Sequence, residues 1–432
     1  MNPPPTAPSA ERNAREKPPL LRRLGGLVGG FWHKLKGREA RRLLRDVILA
    51  LVAAFTLFSL YNLRVQFPRS RFAVYPRLGG YFAYRGCLCA HSDYGEGRSS
   101  YSRIARYADE AGLDFVVVTD ENTMEARMDG KVGSYGDFFV FCGAELSRPE
   151  GRMWFLGPRD MPTNNDLNGA TSTLLARLDE HLTVIAMPQD PREPWTDLSL
   201  AGFDALEVVN LTSLWRTADP WNWIQAASAN LFDGPGSLAR LGIDRAPFLL
   251  WDRLTAERPV VGLSSVDVRG RTKVIGDWYI KTPSYEDAFR TLQTYVLLPQ
   301  RLPRNPNKAF DELTAALEAG HCFGCLAPIG DGAGFRFTAS QGEAFAIMGD
   351  ELTIDPLRGE PVNLEAYCPP RDGVYLLLYR DGEIIRRVED RRLSHLTSQP
   401  GVYRIEAWVT SPSLPFGHVQ RLWLYSNPIY LR

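Results

Sequence analysis

Residues 86–122, GCLCAHSDYGEGRSSYSRIARYADEAGLDFVVVTDEN, constrain the fold of this chain more than any other stretch. Alternation along an extended run places Cys87, Cys89 and His91 on one side of a strand. Ser99 or Ser100 caps a helix over 101–111, and Gly112 ends it. The run 115–118 is short, apolar and β-branched, as a buried parallel strand is, and it leads into Thr119, Asp120, Glu121 and Asn122. Two successive strands thus deliver metal-capable and acidic side chains at the same end of a β-α-β unit, where α/β folds place their sites.

The alternation continues from about 79 to 328. Strands are expected at 138–141, 153–156, 183–187, 205–210 and 260–264, with helices at 172–180, 221–231, 285–297 and 307–319. That many units predict parallel strands and a barrel rather than an open sheet. Helical periodicity stops after Gly330. Runs 374–379 and 383–388 flank Arg380-Asp381-Gly382, an Asp-Gly hairpin signal, and Pro400-Gly401 opens another strand at 403–409. Residues 329–432 therefore read as an all-β, immunoglobulin-like sandwich.

The N-terminal region differs in kind. Residues 1–45 are rich in Pro and in basic side chains and are expected to be a disordered cytoplasmic segment. Residues 47–61 are apolar apart from Thr56 and Ser59, so 46–63 are expected to form a single uncleaved transmembrane helix, with 64–78 as a linker. The basic flank is denser before the helix, which puts the N-terminus in the cytoplasm and the main domains outside a cell membrane. Lys plus Arg and Asp plus Glu both number 50, so there is no basic excess to recommend nucleic acid as a partner.

Six cysteines in 432 residues do not make a disulfide scaffold. Outside the cytoplasm thiols oxidise, however, and Cys142 comes within reach of the first strand; a Cys89–Cys142 and a Cys87–Cys142 bond are both open. His321-Cys322-Phe323-Gly324-Cys325 lacks a second metal-binding pair and reads as a local disulfide or plain packing. Asn210-Leu211-Thr212 fits the N-glycosylation pattern.

The frame of 86–122 resembles the polymerase and histidinol phosphatase (PHP) superfamily of metal-dependent phosphoesterases. That family opens with a His-x-His pair, a Gly-Leu-Asp strand and Thr-Asp-His-Asn. Here the pair is Cys89-Ala90-His91, and the later His is Glu121. The next motifs follow in order: Gly143-Ala144-Glu145 is intact, Gly-His has become Gly151-Arg152, and His-Pro has become Met187-Pro188. An acidic strand end with Asn matches Glu207 and Asn210, and Asp-x-His-Gly has become Asp267-Val268-Arg269-Gly270. The resemblance implies a distorted (β/α)7 TIM-like barrel over 79–328.

It also implies one metal position at Cys89, His91, Glu145 and Asp267, residue types that hold zinc or manganese. The second position would rest on Arg152 and Met187, and the third on Glu121 and Arg269. A guanidinium has no acceptor and a thioether is a poor donor to a hydrolytic ion, so those positions fail. The expectation is a pseudo-phosphoesterase that acts through binding, with one ion at most or none. In it Arg152 and Arg269 replace lost cations by pairing with the mouth carboxylates, or else grip a small anionic ligand. The alternative is a hydrolase using one metal, with Asp120 and Glu145 as its catalytic carboxylates.

Overall fold

The structure, a computed structural model, describes residues 38–64, 80–157, 161–199, 202–230, 232–270, 272–275, 278–280, 283–413 and 417–432. The greater part of the expected disordered segment and of the linker lies outside them. The chain divides into a unit ending at Leu60 and a unit from Tyr61 to Arg432.

The first unit holds all but the last turn of helix α1 (Arg38–Arg64), which carries exposed Leu49, Leu51, Val52 and Leu57. No helix among the described residues is long and apolar enough to cross a membrane. The expected transmembrane segment is therefore present as a helix, with the Arg45–Asp46 ion pair at the edge of its apolar run, but not as a complete span.

The second unit is built on a large mixed sheet. Strands β1 (Phe82–Ala90), β2 (Phe115–Glu121), β3 (Phe138–Arg148), β4 (Gly151–Leu156), β5 (Leu182–Ala186), β6 (Ala205–Asn210) and β7 (Val261–Ser265) lie side by side in chain order. Beyond β1 come β8 (Leu292–Leu298) and β9 (Cys322–Leu326). The blocks β1-β2-β3 and β5-β6-β7 are parallel. They meet through antiparallel β4, and β8 and β9 are antiparallel too, which corrects the all-parallel expectation. Past its last residue β7 comes back to β1: Val266 N donates to Leu88 O and His91 N to Val268 O, each at 3.0 Å, around one isolated Ala90–Val268 bridge. No ladder joins β7 to β1, so the barrel is not closed by continuous pairing.

Among the helices that precede β7 in the chain are α2 (Tyr101–Glu110), α3 (Leu211–Thr217), α4 (Gly234–Leu238) and α5 (Ala246–Glu257). The expected helix at 285–297 is instead a short helix α6 (Tyr285–Phe289) and strand β8. Thr294, Tyr295 and Val296 suit a pleated ladder, and β8 pairs with Phe82 to Gly86 of β1. Helix α7 (Pro306–Glu318) shares one buried cluster with Phe115, Phe139, Leu182, Ala205 and Val261, each at or next to the start of its strand. Its Phe310 ring lies 5.2 Å from that of Phe141. α7 therefore plugs the end of the sheet where strands begin and leaves the carboxyl ends for polar residues.

The C-terminal strands are β10 (Arg336–Gln341), β11 (Ala344–Ile347), β12 (Val362–Tyr367), β13 (Val374–Arg380), β14 (Glu383–Val388), β15 (Arg392–Thr397), β16 (Gly401–Ser413), β17 (Gly417–Ser426) and β18 (Ile429–Leu431). Antiparallel β11-β10-β12-β15 form a separate sheet. Its inward Phe337, Ala339, Val362 and Leu364 share a buried core with Leu376, Leu378 and Ile405 of β13 and β16. The Asp-Gly hairpin between β13 and β14 forms as expected, with Asp381 and Gly382 both at positive φ (52° and 83°). β17 pairs with β9, so the large sheet runs without a break into the C-terminal strands.

A buried ion network reinforces that continuity. Arg404 on β16 grips Asp252 on α5 with Nε at 2.6 Å and Nη2 at 2.7 Å, and its Nη1 reaches Glu406 at 2.5 Å. Arg245 adds a 2.9 Å contact to Glu406. The Tyr379 ring centroid lies 3.9 Å from the Arg404 guanidinium, and Arg404 is only 2% exposed.

Candidate functional site

The carboxyl ends of β1, β3 and β7 converge on four buried side chains: Cys89, His91, Glu145 and Asp267. Their backbone is unusual. Five described non-glycine residues have positive φ, and four of them sit at strand ends of this mouth: Cys89 (62°), Asn122 (56°), Met187 (45°) and Asp267 (41°). Side-chain-bearing residues avoid this region unless their surroundings impose it, and such strain concentrates at functional sites.

At Cys89 the cause is a bulge in the β1–β2 pairing between Cys87 and Ala90. The bulge corrects the expected alternation. Leu88 and Cys89 both join the inner cluster, while Cys87 faces the outer layer with its sulfur 3.2 Å from the Leu292 carbonyl.

The four donor atoms lie within 4.8 Å of one another. His91 Nε2 is 3.1 Å from Asp267 Oδ1 and 3.3 Å from Glu145 Oε2. Cys89 Sγ is 3.8 Å from both His91 Nε2 and Glu145 Oε2. A tetrahedral zinc ion holds N, O and S ligands roughly 3.3–3.8 Å apart, given bonds of about 2.0–2.3 Å, so the donor set fits one such ion. Asp267 Oδ2 and His91 Nδ1 are buried without a hydrogen-bond partner.

The two arginines occupy the other side of the same carboxylates. Glu145 turns Oε2 toward Cys89 and His91 and Oε1 toward Arg152 Nη1, at 2.8 Å. Arg269 Nη2 lies 3.7 Å from that same Oε1, while its Nη1 contacts Asp267 Oδ1 at 2.5 Å. Each guanidinium has an outer acidic partner as well: Glu193 at 2.9 Å from Arg152 Nε, and Glu96 at 3.1 Å from Arg269 Nε. Both arginines thus pair with mouth carboxylates. Neither Glu96 nor Glu193 was marked by the sequence; each lies in a loop between elements, and only the need of a semi-buried Arg for an acid points to them.

Electrostatics follow from this packing. Burial and Arg269 pull the His91 pKa down, but its bonds to Asp267 and Glu145 prevail and push it up to about 9. Burial, reinforced by Glu145, Glu207 and Asp267, raises the Cys89 thiol well above its usual range. Burial opposes ionisation of Asp267, yet Arg269 and His91 hold it below the ordinary carboxylate range. Glu145 is lowered against burial by His91 and Arg269. At neutral pH the cluster is therefore three cations (His91, Arg152, Arg269) among four carboxylates (Glu145, Asp267, Glu96, Glu193), a net charge of 3 − 4 = −1. Replacing the His91 and Cys89 protons by one divalent ion leaves that −1 unchanged.

The remaining sequence candidates take supporting places. Asp120 accepts from Ser92 N and Ser92 Oγ, both at 2.5 Å, and so holds the turn after His91 rather than facing the donor cluster. Glu121 accepts from Ser147 Oγ at 2.8 Å and is also outside the four. Glu207 accepts from Trp154 Nε1 (2.7 Å), Asn210 Nδ2 (2.8 Å) and the Met187 backbone N–H (3.0 Å), and burial pushes its pKa to about 7. Met187, Glu207 and Asn210 border a cavity of about 20 Å³, room for one water.

All six cysteines are free. Cys142 lies in the outer cluster, across the sheet from Cys89, and shares that layer with Cys87 without a bond; Cys322 and Cys325 point to opposite faces of β9, which rules out a local disulfide. Asn210 is 4% exposed and caps α3 by accepting from Ser213 N, so the folded chain offers no glycosylation site there.

No family model and no curated protein matches the sequence. Solved structures do match parts of the chain. One is a two-domain protein from Bacteroides vulgatus containing a predicted PHP-like metal-dependent phosphoesterase, at 12% identity, covering 82% of this chain and 98% of that one with a TM-score of 0.37. Another is a protein from Bifidobacterium adolescentis described as a candidate metal-dependent phosphoesterase, at 13% identity, covering 44% of this chain and 91% of that one with a TM-score of 0.26. The first of these neighbours is described as PHP-like. Identities and TM-scores at this level carry no chemistry across, so the function has to come from this chain's own residues.

Proposed function

We propose that this chain is a PHP-like protein that holds one zinc or manganese ion at Cys89, His91, Glu145 and Asp267 and acts by binding rather than by hydrolysis. The observation that carries the reading is the division of Glu145, with one oxygen toward Cys89 and His91 and the other toward two guanidinium groups. An ion at the four donors would supply charge and fixed geometry. The chain supplies the rest: Arg152 and Arg269 compensate the carboxylate faces that further cations would otherwise cover. Four protein donors fill a tetrahedral shell, which leaves no position for an activated water.

The full-length protein should contain one equivalent of metal by elemental analysis and release about two protons per ion on loading, read by calorimetry in buffers of different ionisation enthalpy. It should show no turnover of a chromogenic phosphodiester with zinc or manganese. Turnover that disappears in Asp267→Asn would establish the single-metal hydrolase instead.

The reading places the barrel-like and β-rich parts outside a cell membrane, held by the apolar run of α1. Full-length protein should then sediment with membranes and come off with detergent but not with concentrated salt. Recovery in the soluble fraction would remove the anchor from the proposal.

A further inference from the structure

Away from the four donors, where the large sheet passes into the C-terminal strands, lies a cleft of about 820 Å³. That is the size of organic-ligand sites, which favour such junctions. Gln293 and Tyr295 of β8 form its base, and α4, α6 and the turn at Ala327 and Pro328 form its walls.

The base holds an unsatisfied group. Gln293 is 3% exposed, and its Nε2 donates to the Phe289 carbonyl at 2.8 Å. That bond fixes the amide orientation and leaves Oε1 a buried acceptor without a partner. Such atoms are rare in native folds, and each calls for an occupant. Beside it, Asp287 accepts from Ser284 Oγ at 2.7 Å through Oδ2 and forms no ion pair among the described residues, and burial, with Glu286 and Asp233 adding to it, holds its carboxyl above the ordinary range.

The cleft's arginines are already engaged, Arg85 with Asp331 at 3.3 Å and Arg290 with Glu286 at 2.6 Å. Its lining carries five carboxylates against two guanidinium groups, a formal 2 − 5 = −3. At the rim Phe232 is 54% exposed, an apolar surface facing the same space as Pro235. A bare metal ion would leave those apolar walls and most of that volume unused.

We propose that this cleft binds a small organic cation, an alkylammonium compound whose N–H groups donate to Gln293 Oε1 and Asp287 and whose carbon chain lies against Pro235 and Phe232. Acceptors at the base select a donor-bearing head, the negative lining selects positive charge, and the rim selects an aliphatic body.

The test is calorimetric titration of the full-length protein with cadaverine, and with 1-pentanol as a neutral counterpart. Cadaverine should bind at one site, 1-pentanol should not, and added salt should weaken the binding. Gln293→Leu should lower affinity about tenfold or more, the loss of a hydrogen bond to a charged group. Phe232→Ala, at an exposed position, should lower it a few-fold with the unfolding midpoint unchanged. Stripping metal with EDTA should leave cadaverine affinity as it was, which separates this site from the four-donor cluster. No heat at millimolar cadaverine, equal binding of the alcohol, or affinity indifferent to salt and to Phe232→Ala would overturn the proposal, even if Gln293→Leu proves unable to fold.

Discussion

Glu145→Gln should cost the metal-free protein about 3–5 kcal/mol of folding stability, the range for removing one partner from a buried ion cluster. Glu145 is 1% exposed and faces three cations: His91 at 3.3 Å, Arg152 at 2.8 Å and Arg269 at 3.7 Å. The amide keeps the shape and removes the charge, so His91, Arg152 and Arg269 are left with one inner carboxylate, Asp267. The outer acids Glu96 and Glu193 are about half exposed and compensate only through solvent-screened contacts. Urea unfolding in EDTA measures the effect. Arg152→Met alone should cost less, because Arg269 and His91 still face Glu145, and the double variant should recover part of the Glu145→Gln loss through a non-additive coupling. A cost under about 1 kcal/mol would mean that water screens the mouth and that the guanidinium groups do not stand in for ions.

Arg404→Ala should be of similar size, about 3–5 kcal/mol, for a different reason. It strands buried Asp252, leaves buried Glu406 with Arg245 as its remaining cation, and empties the space against Tyr379 where the sheet joins α5. The same network sets an acid limit. Burial opposes ionisation of Glu406, but Arg404 and Arg245 lower its pKa below the ordinary carboxylate value. A lowered folded-state pKa contributes stability above the unfolded value, about 4.3, and that contribution is lost as pH falls through the folded value. Wild-type stability should therefore fall on acidification below about pH 4, and Glu406→Gln should flatten that part of the profile. Melting curves between pH 3 and pH 7 read both; parallel profiles for the two proteins would rule out the assignment.

Much of the site was legible from strand ends. The strand 205–210 and the hairpin at Asp381-Gly382 follow from short apolar runs and the residues that close them, and the meeting of Cys89, His91, Glu145 and Asp267 is what the PHP resemblance implies. What the sequence hid depends on partners distant along the chain. β8 read as a helix because Ala288 to Leu297 has an apolar spacing that fits either period; pairing with β1 decides it. The antiparallel course of β4 is set by the tight turn at Glu150 and Gly151, where Gly151 has φ 144°, not by strand composition. The bulge at Cys89 could not be seen either, since the residues around it alternate acceptably on paper.

The left-handed backbone at Cys89, Met187 and Asp267 also bears on what an engineered metal site here would need. Three strand tips share that contorted conformation, at Met187 as at the two donor positions, although a thioether is a poor ligand for a hard ion. Placing imidazoles at 152, 187 and 269 would ask little of the main chain. The obstacle is a surplus of negative charge once the guanidinium groups are gone, so a protein altered in that way should fold only when further cations are supplied with it.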